Sequence, residues 1–243
     1  MHVWVSQLHA WAPGLETQAD WQGFSLETLP SGDDKPAAQG VPAMTRRRLT
    51  RWGRQAMEVA EPLVPALAAG TPVIFSSRHG DTARTFKLLQ DLARGEPLSP
   101  NAFSLSVHNS ALGLFTILKD IHAPSLALAA GADTLAAAWQ EACSWLASGS
   151  ESVLLVHTDE PLHEFYQPFT DERDMPAAAA MLLSRTPQEG GRCLSLTMSG
   201  AQTPRTDVSM LASFLAGWFA DAATITYTSN RHQWCWARVL TDA

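Results

Sequence analysis

The stretch SLALAAGADTLAAAW, residues 125–139, constrains the fold more than any other part of the chain. A short apolar run passes through a tight turn into a helical pattern, which predicts a buried strand that bends sharply into a helix. Many enzymes mount a nucleophile on such an elbow. Here the turn has no thiol, hydroxyl or amine, because its residues are Ala129, Ala130, Gly131 and Ala132. The segment therefore has the form of a nucleophile's support without the nucleophile.

Composition limits the class of protein. The chain has 243 residues, 46% of them hydrophobic, and a formal net charge of -7. This composition supports a packed globular core, and the negative charge argues against general binding to nucleic acid or anionic membranes. The three cysteines are odd in number, widely spaced and in apolar surroundings, so we interpret them as buried small side chains rather than as disulfide or zinc ligands.

The N-terminus has no signal peptide pattern, and no run of 18 apolar residues occurs, so we expect a cytoplasmic protein without a transmembrane segment. No repeat or low-complexity linker divides the chain, and we expect a single domain over residues 1–243. Hydrophobic periodicity predicts strands and helices in alternation. The predicted strands are 3–8, 71–77, 125–130, 152–160, 177–184, 192–198 and 233–240, and the main helices are 44–67, 82–94, 104–119, a helix ending near 147, and 208–222.

This order favours an α/β fold in which a mainly parallel mixed sheet carries helices on both faces. We expect the last two strands before the final helix, 177–184 and 192–198, to be adjacent and joined by the turn TPQEGG. In such a fold, chemistry belongs at the carboxyl ends of the strands.

No motif for catalysis or cofactor binding is found there. The patterns G-x-S-x-G, G-x-x-x-x-G-K-[ST] and G-x-G-x-x-G are absent, and we expect no cofactor. Two histidines, His157 and His163, lie near acidic residues in VHTDEPLHEF, but polar residues at a strand end explain this cluster better than a metal site does. His108, in SVHNS, is favoured as a hydrogen-bonded structural histidine.

Three segments together resemble a known family. They are HGDTARTFKLLQDLARGEPLSPNAFSLSVHNSALGLFTI, then APSLALAAGADTLAAAWQEACSWLASG, then SVLLVHTDE. They resemble the amino-terminal half of the β-ketoacyl-[acyl carrier protein] synthases, which have the thiolase fold. The resemblance implies that helix 104–119 lies against a subunit interface. It also implies that strand 125–130 pairs with its equivalent across a twofold axis.

The residues of condensation chemistry do not carry over from that family. Its nucleophilic cysteine aligns with Ala132, or with Gly131 after a shift of one residue, and neither can form an acyl thioester. The family's two histidine motifs, H-G-T-G-T and N-x-F-G-F-G-G-x-N, are not found. We therefore expect a catalytically inactive homologue in which the carboxyl-terminal half is truncated.

Within the family, the sequence looks most like the short ketosynthase-like chain-length factors of aryl polyene systems. That resemblance implies a heterodimer with an active β-ketoacyl synthase, indirect contact with the acyl carrier protein, and a role in shaping the tunnel for the growing chain. The candidate tunnel or interface residues are Ser106, Asn109, Ser110, Gly113, Ala127, Ala129, Ala130, Asp133 and Thr134. A half-length chain would also expose its central layers, so we expect an obligate apolar interface and poor solubility alone.

Two other functions stay open. The protein could be an acyltransferase or hydrolase that uses His108 or His157 with Ser106 or Ser110, or a purely structural assembly subunit. The arginines between Arg46 and Arg54 could contact an acidic carrier protein, although a solvated helix face is the more common explanation for such a pattern.

Overall fold

The computed structural model describes residues 1–240 of the chain, so the end of the predicted 1–243 domain, residues 241–243, lies outside the described residues. The strands are β1 (His2–Trp11), β2 (Val73–Ser76), β3 (Ser125–Leu128), β4 (Ser152–Asp159), β5 (Ala177–Ser184), β6 (Arg192–Gly200), β7 (Thr224–Thr228) and β8 (His232–Arg238). The helices are α1 (Gln18–Gln22), α2 (Ala43–Arg46), α3 (Arg51–Ala60), α4 (Thr82–Ala93), α5 (Pro100–Ser104), α6 (Ser110–Leu118), α7 (Thr134–Ala147) and α8 (Met210–Phe219).

All eight strands form one mixed sheet in the order β3-β2-β4-β5-β1-β6-β8-β7. Only the β2–β3 and β2–β4 pairs are parallel, and the other five pairs are antiparallel. The α/β class with helices on both faces is as predicted, but the prediction of a mainly parallel sheet was wrong. The error arose because the antiparallel part of the sheet contains strands that are as apolar as parallel ones.

The first strand, β1, lies in the middle of the sheet and not at its edge. It pairs with β5 on one side and with β6 on the other. The prediction that β5 and β6 are adjacent was therefore wrong. Every residue of β5, AAAAMLLS, is buried. A strand covered on both faces needs two hydrogen-bonded neighbours to satisfy its backbone, and β1 and β4 provide them.

The sheet curves around two helices. One core cluster joins α7 and α8 both to the β2-β4-β5-β1 strands and to the aromatic residues of β7 and β8. The ring of Trp139 on α7, for example, lies 6.2 Å from the ring of Trp236 on β8. The second cluster lies on the other face of the sheet, under α3 and α6. The expectation that a chain of this length exposes its central layers was therefore wrong, since β6, β8 and β7 cover α7 and α8 from the far side.

Several predicted helices are shorter in the structure. The predicted helix 44–67 is divided into α2, α3 and a 3-10 segment Glu61–Ala66, because Thr50 caps α3 and Pro62 and Pro65 interrupt the pattern. The predicted helix 104–119 begins only at Ser110, so Ser106 and Asn109 precede α6. Strand β7 was not predicted, because Thr224–Thr228 is short and follows the helical pattern of α8 directly.

None of the helices within residues 1–240 is long and apolar enough to cross a membrane.

Candidate functional site

The turn from β3 into α7 is built as the sequence predicted, but β3 is not the buried strand that was expected, because it lies at the edge of the sheet and its residues are exposed or half-buried. The strand ends at Leu128, and a 3-10 turn, Gly131–Asp133, leads into α7. Gly131 has φ +61, a conformation that favours glycine. The hydroxyl of Thr134 donates to the carbonyl of Gly131 at 2.6 Å and accepts from the N–H of Ala130 at 2.9 Å. The turn is therefore locked by its own side chain.

Asp133 ties the elbow to the far end of the chain. Its carboxylate accepts a hydrogen bond from Trp234 Nε1 at 2.8 Å and lies 2.9 Å from His232 Nδ1, both on β8. The elbow is thus connected to a strand about 100 residues away in sequence, and its shape depends on the curved sheet.

The inner side of the elbow faces a very small crevice. Its volume is about 10 Å³, which is roughly the space for one water molecule. Its lining comes from the elbow (Gly131, Ala132, Thr134 and Leu135), from β4 (His157 and Asp159), from the start of α8 (Ser209, Met210 and Leu211) and from Arg78, Glu172 and Asp174. The crevice has no room for an acyl chain.

A row of buried hydrogen bonds lies behind the crevice. His157 Nδ1 is 2.8 Å from the hydroxyl of Ser76, and its Nε2 is 3.0 Å from Asp159 Oδ2. Asp159 also accepts from the Ser77 hydroxyl at 2.7 Å and from the backbone N–H of Arg78 at 2.9 Å. Burial opposes the charge of Asp159, but the hydrogen bonds and the charge of His157 hold the pKa of this carboxyl below its usual value.

Above the crevice, two arginines and two acids form an ion-pair network. Arg78 contacts Asp171 at 2.8 Å and Glu172 at 2.7 Å, and Arg205 contacts the same two carboxylates at 2.8 and 2.7 Å. Although burial acts in the opposite direction, the hydrogen bonds from Arg205 and Arg78 lower the pKa of Asp171 to about 2. The hydroxyl of Tyr227 donates to Glu172 at 3.0 Å, and burial together with that carboxylate raises the pKa of Tyr227.

Asp174 differs from these acids because it has no arginine contact. It accepts a hydrogen bond from the N–H of Met175 at 2.8 Å. Burial, reinforced by the negative charge of Asp159, raises the pKa of Asp174 to about 7. The hydroxyl of Ser209, which also lines the crevice, favours the ionised form of Asp174, but less strongly than burial opposes it.

The predicted tunnel or interface residues fall into two groups. Asp133 and Thr134 are in the elbow, Ala127 is in β3, and Ala129 and Ala130 follow β3 and are exposed. The others lie on or before α6, where the hydroxyls of Ser106 and Ser110 donate to the carbonyls of Phe103 and Leu105. Asn109 is exposed, and a side chain added at Gly113 would meet no atom within 4 Å.

Both groups border the open edge of the sheet. β3 is the terminal strand and pairs only with β2, so one row of its backbone groups has no strand partner. Large apolar side chains are exposed on α4, α5 and α6 and in the adjoining loops: Leu89, Leu92, Leu98, Phe103, Val107 and Ile117. We call these six residues, with β3, the edge surface.

The Ser/His pairs of the enzyme hypothesis are not brought together. His108 Nε2 lies 2.8 Å from the carbonyl oxygen of Ser77, while the hydroxyls of Ser106 and Ser110 are used within their own turns. His157 does contact a serine, Ser76, but that serine is 1% exposed and inside a strand. His163 lies elsewhere, stacked on Phe86 with ring centroids 3.9 Å apart. Within residues 1–240, no group of three or more His, Cys, Asp or Glu side chains is arranged to hold a metal.

The arginines that the sequence placed on one helix have different environments. Arg51 pairs with Glu160 at 2.9 Å, and Arg46 reaches the carbonyl of Ala38 at 3.4 Å. Arg47 and Arg48 are exposed, in the segment between α2 and α3. Of the five arginines from Arg46 to Arg54, these two alone are exposed enough to contact a partner.

Sequence reasoning missed the network of Arg78, Glu172, Arg205 and Tyr227. The charged run DERD, residues 171–174, was the only signal of this network in the sequence. The groups that it contacts, Arg78, Arg205 and Tyr227, lie far from it along the chain, so no local pattern connects them. It also missed His232, which is far from the elbow in sequence.

The fold and the elbow define a class, the thiolase-like ketosynthase domains. The chain matches the family model described as "Beta-ketoacyl synthase, N-terminal domain" over residues 19–237. It therefore belongs to the β-ketoacyl synthase family, as the three sequence segments indicated. No curated protein matches the chain.

Solved structures agree with this assignment. A chain of the ketosynthase (ApeO) in complex with its chain length factor (ApeC) from Xenorhabdus doucetiae is similar over 98% of this chain and 100% of its own, with a TM-score of 0.84 and 29% identity. The ishigamide ketosynthase/chain length factor covers 82% of this chain and 68% of its own, with a TM-score of 0.66 and 14% identity.

A third structure contains a carrier protein. It is AntDE:AntF, a type II acyl-carrier protein in complex with its ketosynthase bound to the hexaketide, and the similarity covers 98% of this chain and 99% of the other, with a TM-score of 0.69 and 12% identity. At 12–14% identity, the latter two structures show the shared fold alone.

Proposed function

We propose that this protein is a non-catalytic chain-length-factor subunit, which pairs with an active β-ketoacyl synthase and shapes the cavity in which the acyl chain grows. One observation carries the proposal: a ketosynthase fold keeps the elbow intact but has Gly131 and Ala132 where a nucleophile would stand. An alanine methyl group cannot form a thioester. An elbow without a nucleophile can still have a structural role if the subunit packs against a partner.

The edge surface supports a partner of the same fold. A strand edge with unpaired backbone groups is costly to leave in water, and so are the six large apolar side chains that are exposed on α4, α5, α6 and their loops. The small side chains of Ala127, Ala129 and Ala130 allow another strand to approach closely. An obligate interface of this kind buries about 2,000 Å² or more. The similarity to a chain of the ApeO–ApeC complex supports a ketosynthase as the partner.

The residues before and on α6 provide space beside that interface. Asn109 is exposed and Gly113 faces open space, so a chain held between the two subunits could run along this part of the surface. We infer that Ser106, Asn109, Ser110 and Gly113 bound the tunnel and that their small size admits a long, rigid product. The resemblance of the sequence to the short chain-length factors of aryl polyene systems favours a product of that kind.

Arg47 and Arg48 are candidates for an additional contact with an acidic acyl carrier protein. Reversing both charges should weaken carrier binding at low salt, and the difference should shrink as salt is added.

The test is co-expression with candidate ketosynthase subunits, followed by measurement of complex size and of the mass of the carrier-bound product. Gly113→Trp and Ser110→Phe should shorten the product while sparing the first loading step, because each adds a large side chain beside the proposed tunnel. Gln188→Trp, on an exposed turn far along the chain, is the matched control and should leave product length unchanged.

The outcomes separate the alternatives. Variants that change complex stability but never product length would favour a purely structural assembly subunit. An isolated chain that turns over an acyl thioester would favour the acyltransferase or hydrolase hypothesis and would contradict the proposed function.

A further inference from the structure

The order of the strands reverses between β2 and β4. After β2 the chain adds β3 on one side, and it then returns to add β4 on the other side, parallel to β2. The chain leaving β2 therefore runs toward β3, while the chain leaving β4 runs toward β5 on the opposite side. Where two such connections diverge, a crevice opens outside the carboxyl ends of the strands, and ligands of α/β proteins bind in it.

A cleft of about 470 Å³ lies at these strand ends. Arg78 and His79 come shortly after β2, Pro161 and Leu162 come shortly after β4, and all four line the cleft. Leu29, from the irregular segment between α1 and α2, lines it as well. This volume is within the range of about 300–1,000 Å³ that is typical of small-molecule sites.

The wall of the cleft that follows β4, residues 160–176, is held in place. The ring of His163 stacks on Phe86 with centroids 3.9 Å apart, and Arg173 forms a β-bridge with Val208. The last residues of the segment are buried in the protein. The cleft is thus formed before a ligand arrives, which reduces the entropy that binding costs.

The cleft offers apolar contact area. Leu29 and Leu162 are half-buried, and Phe169, which also lines the cleft, is 77% exposed. An exposed aromatic ring beside half-buried leucines gains stability when an apolar group covers it. The ligand should therefore have an apolar body.

Two polar side chains of the cleft are free to contact a ligand. The ring of His79 and the amide of Gln167 form no hydrogen bond with other residues of 1–240. Burial lowers the pKa of His79, so its ring is neutral at pH values near 7 and has one donor and one acceptor nitrogen. His79 therefore adds hydrogen-bonding capacity to the cleft but no positive charge.

The two arginines of the cleft are already paired with acids. Arg78 contacts Asp171 at 2.8 Å and Glu172 at 2.7 Å, and Arg173 contacts Asp207 at 3.2 Å. An anionic ligand would have to displace one of these carboxylates to reach a guanidinium group. The cleft is therefore unsuited to phosphates and carboxylates.

Acids outnumber arginines in the lining of the cleft. Four carboxyl groups line it, those of Glu164, Asp171, Glu172 and Asp174, against two arginines. Glu164 is exposed and forms no salt bridge with the rest of residues 1–240. A cation in the cleft would find an unpaired carboxylate there, while an anion would be repelled by it.

We propose that this cleft binds a small amphiphilic amine, with its apolar body against Leu29, Leu162 and Phe169 and its ammonium group beside Glu164. None of the residues of the edge surface lines the cleft, so the inference does not depend on the function proposed above.

Three probes with the same apolar body test the proposal: phenylbutylamine, phenylbutanol and phenylbutyrate. Each is titrated at neutral pH into the isotope-labelled full chain, and binding is followed by the chemical shifts of the backbone amides. The amine should shift amides in 77–80 and 161–174 and bind about tenfold more tightly than the carboxylate, with the alcohol between them.

Glu164→Gln isolates the charge. Because Glu164 is exposed, the variant should fold normally, lose about threefold in affinity for the amine and keep its affinity for the alcohol. Glu189→Gln, the same substitution at an exposed acid in the turn between β5 and β6, is the matched control and should leave all three affinities unchanged.

The wild-type titrations can overturn the proposal without any variant. A carboxylate that binds as tightly as the amine would contradict it, as would amide shifts centred outside the cleft or no shifts at millimolar amine. An amine affinity that Glu164→Gln leaves unchanged would also count against it.

Discussion

At the scale of single residues, the missing nucleophile is the decisive feature. The position that could hold it is occupied by Ala132 or Gly131, and the space beside it is about 10 Å³. Arg78, Glu172 and Asp174 line the same crevice, so under the proposed function the elbow lacks both a reacting atom and a cavity for a substrate. Adding a nucleophile without a cavity for the acyl group should therefore not produce acyl transfer.

Ala132→Cys tests this point. We expect no detectable acylation at residue 132 when the isolated variant is incubated with an acyl thioester. The crevice is too small for an acyl group, and the ring nitrogens of His157, which also lines it, already contact Ser76 and Asp159. Intact-mass and peptide mapping give the readout, and the wild type controls for Cys143, Cys193 and Cys235. Stoichiometric acylation at the new thiol would contradict the expectation.

At the scale of elements, the edge strand β3 and the neighbouring helix α6 belong to the surface through which we propose that the protein associates. The strand itself was predicted correctly, because its apolar run is bounded by turn residues, but its expected burial was wrong. Its place at the edge of the sheet could not be predicted, since strand order depends on pairing partners that are distant in sequence. The late start of α6 at Ser110, within the predicted helix 104–119, was missed because the apolar spacing continues through residues 105–109.

Ile117→Asp probes the edge surface. Ile117 is 78% exposed, so the substitution should change the free energy of unfolding of the isolated chain by no more than about 0.5 kcal/mol. Complex formation with the ketosynthase should weaken at least tenfold, because a charge would be buried in an apolar interface. Phe169→Asp, at an equally exposed position between β4 and β5, is the matched control. Equal affinity for the two variants would argue against the edge surface.

At the scale of the whole molecule, curvature of one sheet around α7 and α8 replaces the second half that larger relatives bring. The far strands β6, β8 and β7 supply Trp234, Trp236 and Tyr227 to the shared core. The chain thereby buries its central helices by itself, so the association that we propose would cover the edge surface rather than complete the core.

Trp139→Ala should show how much this packing contributes. Trp139 is fully buried and lies against both Phe214 and Trp236, so its loss should reduce the free energy of unfolding by about 3–5 kcal/mol. Denaturant unfolding measures the change. Trp145→Ala, at a partly buried position on the same helix, should cost less, and equal losses would count against the central role of Trp139.

The sequence by itself determined the local features: the elbow, its lack of a nucleophile, the buried strands and the family to which the chain belongs. These depend on apolar periodicity and turn residues, which act over a few neighbours. Tertiary structure decided the position of β1 between β5 and β6, the curvature of the sheet, and the meeting of Arg78, Glu172, Arg205 and Asp174 beside the elbow. Those features depend on which distant strands pair and which charges are then enclosed together, and no short stretch of sequence specifies either.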